Sequence, residues 1–160
     1  MAYIFDANIF IRSKNEMPMD LWPTFWKKAA EMVRTGHVFS SIQVKAEIEK
    51  GEDELTTWMK DNVPAGFYIE NTPDVMAKYG EAINWAHSRK NYTANALEEF
   101  ANVADAFLIA AASAKGYTLV TNETSNPMSA RRVKIPDACI ALGVRVCDLN
   151  TVLRELGITI

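Results

Sequence analysis

The chain has 160 residues and a formal net charge of −3, with 49% hydrophobic and 23% charged residues. That length suits about one domain with a substantial core, and no run approaches the ~18 apolar residues of a membrane span. No leader-like pattern opens the chain, which points to the cytoplasm, and an acidic balance argues against a nucleic-acid ligand unless carboxylates surround cations whose charge inverts the local field.

In chain order, "AYIF" reads as a buried first strand, ended by Asp6 and followed by apolar residues again. A carboxylate there is costly to desolvate unless something pairs with it. Asp6 is therefore either a helix cap or one ligand of a metal site. "DLWPTFWKKAAEMVRTG" reads as a helix capped by Asp20, with Pro23 in its first turn and Gly36 ending it. "HVFSS" is a short second strand, "IQVKAEIEKG" a helix ending at Gly51, and "DELTTWMKDN" a further helix. "GFYIE" follows as the third strand. "TPDVMAKYGEAINWAHSR" starts with Thr72 as cap and Pro73 at the first helical position.

"TANALEEF" and "ADAFLIAAASAKG" are two more helices, the second almost entirely apolar or small and therefore buried. "YTLVT" is the fourth strand, "IPDACIALG" a short helix, "VRVCD" the fifth strand, and "LNTVLRELG" a last helix capped by Asp148. Strands alternating with helices predict a parallel sheet covered on both faces. The expected fold class is α/β, a three-layer α/β/α sandwich around a mainly parallel sheet of about five strands, forming a single domain over residues 1–160. Cys139 and Cys147 are too few for a disulfide framework and read as buried reduced thiols.

Ligands of open α/β sheets bind at the carboxyl ends of strands, where strand order reverses. Asp6 ends the first strand and Glu123 the fourth, while Asp105 opens the apolar helix before the fourth strand. Glu47 lies on the helix after the second strand. If the first and fourth strands are neighbours, Asp6, Asp105 and Glu123 converge and Glu47 can reach them. Carboxylates so gathered need cations to stay ionised. Oxygen-only ligands favour Mg²⁺ or Mn²⁺, ions that activate water and clamp the oxygens of a phosphodiester.

Each acid also has a plainer reading: Asp6 as a cap, Glu47 as part of a solvated face shared with Glu49, and Glu123 as a loop residue. Asp105 is the most informative, because an unpaired buried carboxylate needs compensation. Asn8 is expected to orient Asp6 by hydrogen bonding. Asp137 reads either as the cap of the helix at Pro136 or as a residue supporting the metal site. Arg131, Arg132 and Lys134 form a basic loop after Glu123 that can hold the phosphates of a single strand or simply be solvated. No glycine-rich phosphate loop is present.

Taken together, these stretches resemble the PIN-domain nucleases over nearly the whole chain. "YIFDANIFI" is similar to that family's opening strand followed by Asp-x-Asn, matched by Asp6 and Asn8. "SSIQVKAEIEKG" resembles its second motif and puts the role on Glu47. "VADAFLIAAASAKGYTLVTNE" is the strongest match: Asp105 opens a small-residue helix, and a strand then ends in Thr121, Asn122 and Glu123. Glu123 stands where the family more often has aspartate.

The resemblance implies a divalent-metal-dependent ribonuclease, often the toxin of a toxin–antitoxin pair. Asp6, Glu47, Asp105 and Glu123 would then hold Mg²⁺ or Mn²⁺, with Asn8, Thr121 and Asp137 supporting them. Candidate partners are RNA, single-stranded or structured, an antitoxin protein and a second copy of the chain. A catalytically degenerate PIN domain that binds RNA or protein is the alternative. A phosphotransferase with Asp6 as nucleophile ranks third, since Asn8 stands where a second aspartate belongs.

Overall fold

The computed structural model describes residues 1–160. Strand β1 (Tyr3–Phe5) is followed by helices α1 (Ala7–Glu16) and α2 (Pro23–Val33), then by β2 (Val38–Ser41), α3 (Ile42–Lys50), α4 (Glu54–Asn62) and β3 (Tyr68–Ile69). Three helices come next: α5 (Pro73–Ser88), α6 (Ala94–Asn102) and α7 (Ala104–Lys115). The chain ends with β4 (Thr118–Val120), α8 (Ile135–Ala141), β5 (Val146–Cys147) and α9 (Leu149–Leu156).

All strand pairs are parallel, in the order β3-β2-β1-β4-β5. The chain builds outwards from β1 in one direction and then returns to build in the other. Right-handed crossovers therefore put the helices of the two halves on opposite faces, giving the expected three layers. Strand order reverses between β1 and β4, whose register pairs Tyr3 with Thr118 and Phe5 with Val120.

Helix α7 covers the centre of the sheet. It buries Ala106, Leu108, Ile109, Ala110, Ala111 and Ala112, touching β1, β2 and β4 and packing along α5. Its alanines let neighbouring backbones approach closely, and Gly116, at φ 71°, ends it in the left-handed conformation. One cluster of 36 buried residues forms the core. No helix is long and apolar enough to cross a membrane, and both cysteines are free thiols.

The stretch after Asp6, which the sequence left unassigned, is the helix α1: Ile9 and Phe10 face the core, while Arg12, Asn15 and Glu16 remain exposed. Two local expectations change. Asp20 does not cap α2. The cap position is Trp22 and makes no side-chain bond, because Pro18 to Trp22 form a turn and Pro23 sets the start. Thr72 occupies the cap of α5, but its hydroxyl turns to Asp74 instead of a backbone amide.

Candidate functional site

Asp6 resolves the question its position raised, because it belongs to a ladder, a cap and a cluster at once. Its amide donates to the Val120 carbonyl at 3.0 Å, prolonging the pairing of β1 with β4. Its carboxylate then accepts from the amide of Asn8 at 3.4 Å, capping α1. The second carboxylate oxygen accepts from the Thr121 hydroxyl at 3.0 Å. Asp6 is only 4% exposed. Burial pushes its pKa up to about 6, against the two hydrogen bonds and with help from the charges of Glu123 and Glu47.

Thr121 joins two of the acids. Its oxygen donates to Asp6 and accepts from the amide of Glu123 at 3.1 Å. Glu123 accepts from the amide of Ile135 at 3.3 Å, at the start of α8. Asp137, in the first turn of α8, is buried; it accepts from the Ser125 hydroxyl and, at 2.9 Å, from the amide of Asn126. Asp137 therefore fixes the loop after Glu123 and does not cap α8. Asn8 supports Asp6 through its backbone amide, while the residue itself is exposed.

Asp105 sits in the first turn of α7. Burial raises its pKa to about 7, with further upward pressure from Asp6, Glu123 and Glu47 against the opposing charge of Arg132. Asp6, Glu47, Asp105 and Arg132 line one groove of about 570 Å³. Glu47 reaches it from α3, one turn after Gln43, and its pKa is raised by burial although Lys50 pulls it down. A second groove of about 400 Å³ runs along α1, bounded by Asp6, Asn8, Arg12, Asn15, Asn122 and Glu123 among others. Asp6 and Asn8 belong to both, so the acids lie between two polar grooves.

Arg132 alone of the basic loop is tied to the acids, 3.5 Å from Asp105 and 3.2 Å from Glu123. Burial works against its charge, but Glu123, Asp105 and Glu99 prevail and raise its pKa. Arg131 is exposed and Lys134 is half-buried at the cap of α8. Glu99, on α6, is a groove residue that sequence reasoning missed. "ALEEF" offers two neighbouring glutamates, and only the packing of α6 on α7 selects the second.

No three acidic, histidine or cysteine side chains are grouped tightly enough to make a ready-made metal site. The donor chemistry nonetheless fits a hard divalent cation. Every candidate ligand is a carboxylate oxygen, and Asp6 and Asp105 hold raised pKa values partly because they repel their neighbours.

Comparisons with known proteins agree with the architecture. A family model described as "Domain of unknown function (DUF4411)" matches residues 3–160. No curated protein matches the chain. Among solved structures, the chain is similar to VapBC2 from Rickettsia felis, crystallised bound to a DNA fragment from their promoter. The identity is 18% and the TM-score 0.57, over 92% of this chain and 98% of that one. It is also similar to FitAcB from Neisseria gonorrhoeae, at 16% identity and a TM-score of 0.53, over 90% of this chain and 95% of that one. At such identities the likeness shows the fold, which is PIN-like.

Proposed function

The chain belongs to the family described as a domain of unknown function (DUF4411), and we propose that it acts there as a divalent-metal-dependent endoribonuclease. The observation that supports this most is the pair of buried acids, Asp6 and Asp105, beside the point where strand order reverses. Both resist ionisation, and both face the groove that Glu47 also lines.

Folding alone gives no reason to collect mutually repelling carboxylates at a strand end. A bound Mg²⁺ or Mn²⁺ does, and when bound such an ion supplies an activated water and a clamp for phosphoryl oxygens. Asp6, Asp105 and Glu123 would hold it, with Glu47 completing the set from α3. Thr121 orients Asp6 and the backbone of Glu123, and Asp137 steadies the loop that follows. Grooves on either side of Asp6 suit a strand passing through the site, as internal cleavage requires.

The toxin–antitoxin role extends this reading. VapBC2, similar in fold, is bound in its crystal to a fragment of promoter DNA. That supports a cytoplasmic nuclease whose protein partner is an antitoxin, and a paired second copy of the chain fits the same picture. Two observations favour the alternative of a degenerate domain that binds RNA or protein: Arg132 already answers Asp105 and Glu123, and no ready-made metal group exists.

Cleavage of single-stranded RNA by wild type and Asp105→Asn, with Mg²⁺ or Mn²⁺ and with a chelator, separates the two. The nuclease reading expects cleavage by wild type with metal alone. RNA binding without metal-dependent cleavage establishes the binding module instead.

A further inference from the structure

We propose that Arg132 and a divalent ion compete for Asp105 and Glu123, the arginine serving as the site's own counter-ion until metal displaces it. The proposal rests on the metal-site reading above and concerns how that site is held before the ion arrives.

The two carboxylates and the arginine are anchored very differently. The side chains of Asp105 and Glu123 are 17% and 12% exposed, whereas that of Arg132 is 46% exposed. Asp105 projects from the first turn of α7, which packs across the centre of the sheet, and Glu123 is held by the amide of Ile135 and through its own amide by Thr121. Neither acid can withdraw. Arg132 belongs to the loop between β4 and α8 and can swing out into water.

Its grip is also weak in kind. Both contacts come from the same nitrogen, Nη2, one to each acid. The forked, two-bond pairing that makes arginine–carboxylate contacts strong is absent. Arg132 and Lys50, the two cations of the groove, are outnumbered by Asp6, Glu47, Glu99 and Asp105, with Glu123 beside them. A small divalent ion carries twice the charge of either and prefers carboxylate oxygens. Released, the guanidinium regains its full set of planar donors, which suit phosphate. Metal loading and RNA capture would thus be coupled through one side chain.

The test is calorimetric titration of Mn²⁺ into the RNA-free protein, comparing wild type, Arg132→Gln and Arg132→Lys, with thermal melting in chelator alongside. Exposed ion pairs each change an equilibrium by up to about fivefold, so Arg132→Gln should bind Mn²⁺ roughly two- to twentyfold more tightly. In chelator it should melt below wild type, because the acids lose their counter-ion. Arg132→Lys should fall between the two, and it supplies the comparison if the glutamine variant folds poorly. Measurable Mn²⁺ binding with equal or lower affinity in the variants overturns the competition and leaves the metal site standing. No Mn²⁺ uptake by any of the three proteins overturns the metal reading itself, and this proposal with it.

Discussion

Two grooves of similar size flank α3, and they differ in nearly every property that matters for chemistry. The groove at Asp6 and Asp105 holds about 570 Å³, and the one beside the edge strand β3 about 610 Å³. The edge groove is walled by Ile42, Ile48, Met59, Val63 and Phe67, with Lys45, Glu49 and Lys60 around them. Its charges are comfortable: Lys45 lies 4.0 Å from Glu49 in a solvated pair and 5.7 Å from the Tyr68 ring. In the first groove burial raises two acids towards neutrality, and Arg132 and Lys50 face a larger number of carboxylates. Volume does not distinguish the grooves. Excess negative charge does, and such an excess in a cleft marks a candidate functional site.

The contrast breaks most visibly at Asp105. Asp105→Asn keeps the shape and removes a charge, so RNA cleavage should fall by at least about 100-fold. Metal-free melting should be unchanged or higher, since repulsion is relieved. Glu49→Gln in the edge groove should alter neither. A markedly lower melting temperature of Asp105→Asn with intact cleavage would make Asp105 structural.

Next in size is the pH dependence of the metal-free protein. The folded pKa values, about 6 for Asp6 and about 7 for Asp105, both lie above the ordinary aspartate value of 3.8. The folded state therefore binds protons more readily than the unfolded one. Their stabilising contribution is complete below pH ~4 and is lost as pH rises through the two folded values. At ~1.4 kcal/mol per unit, the loss from Asp105 alone is up to roughly 4 kcal/mol. Asp53 works in the opposite sense at lower pH, since the hydrogen bond from Lys14 holds its pKa down. Urea denaturation from pH 4 to 8 in chelator should show stability falling above about pH 5. Asp105→Asn should flatten that fall.

How much of this was legible in the sequence depends on what decides each feature. The strands, α3 and α7 follow from hydrophobic runs and small residues that no alternative packing suits. The convergence of Asp6 and Asp105 was legible as well, because Asp6 ends β1 and Asp105 opens the helix that feeds β4, so the pairing of β1 with β4 brings them together. Helix α1 was not. Its buried residues are Ala7, Ile9, Phe10 and Ser13, and read beside "YIF" they merge into one apolar stretch. The two readings of Asp6, cap and cluster member, were never exclusive, because one carboxylate has two oxygens to give. Glu99 and the turn of Arg132 towards the acids depend on helix–loop packing, which leaves no local pattern.

A smaller effect is expected at Thr121. Thr121→Val removes the buried hydrogen bond to Asp6, which lets the Asp6 pKa rise further. Activity should drop by roughly tenfold, as when metal-supporting residues are lost, and its pH profile should move upward. An unchanged profile would mean that Asp6 needs no such support.

The smallest effect concerns the basic loop. Replacing Arg131, Arg132 and Lys134 with alanine should flatten the slope of log RNA affinity against log salt by up to ~2, at ~0.7 per lost phosphate contact. Arg132 should account for more of that change than Arg131, which is exposed and unpaired with the acids. An unchanged slope would move the substrate path away from this loop.

Paramagnetic broadening by sub-stoichiometric Mn²⁺, followed in amide NMR spectra of the metal-free protein, compares the two grooves in one experiment. The account predicts the strongest loss of signals around Asp6, Asp105 and Thr121 to Glu123, with weaker broadening at Phe67 to Glu70 at the edge groove, two strands away. Broadening centred on the edge groove, or none at either, would contradict a cation site at the carboxyl ends of β1 and β4.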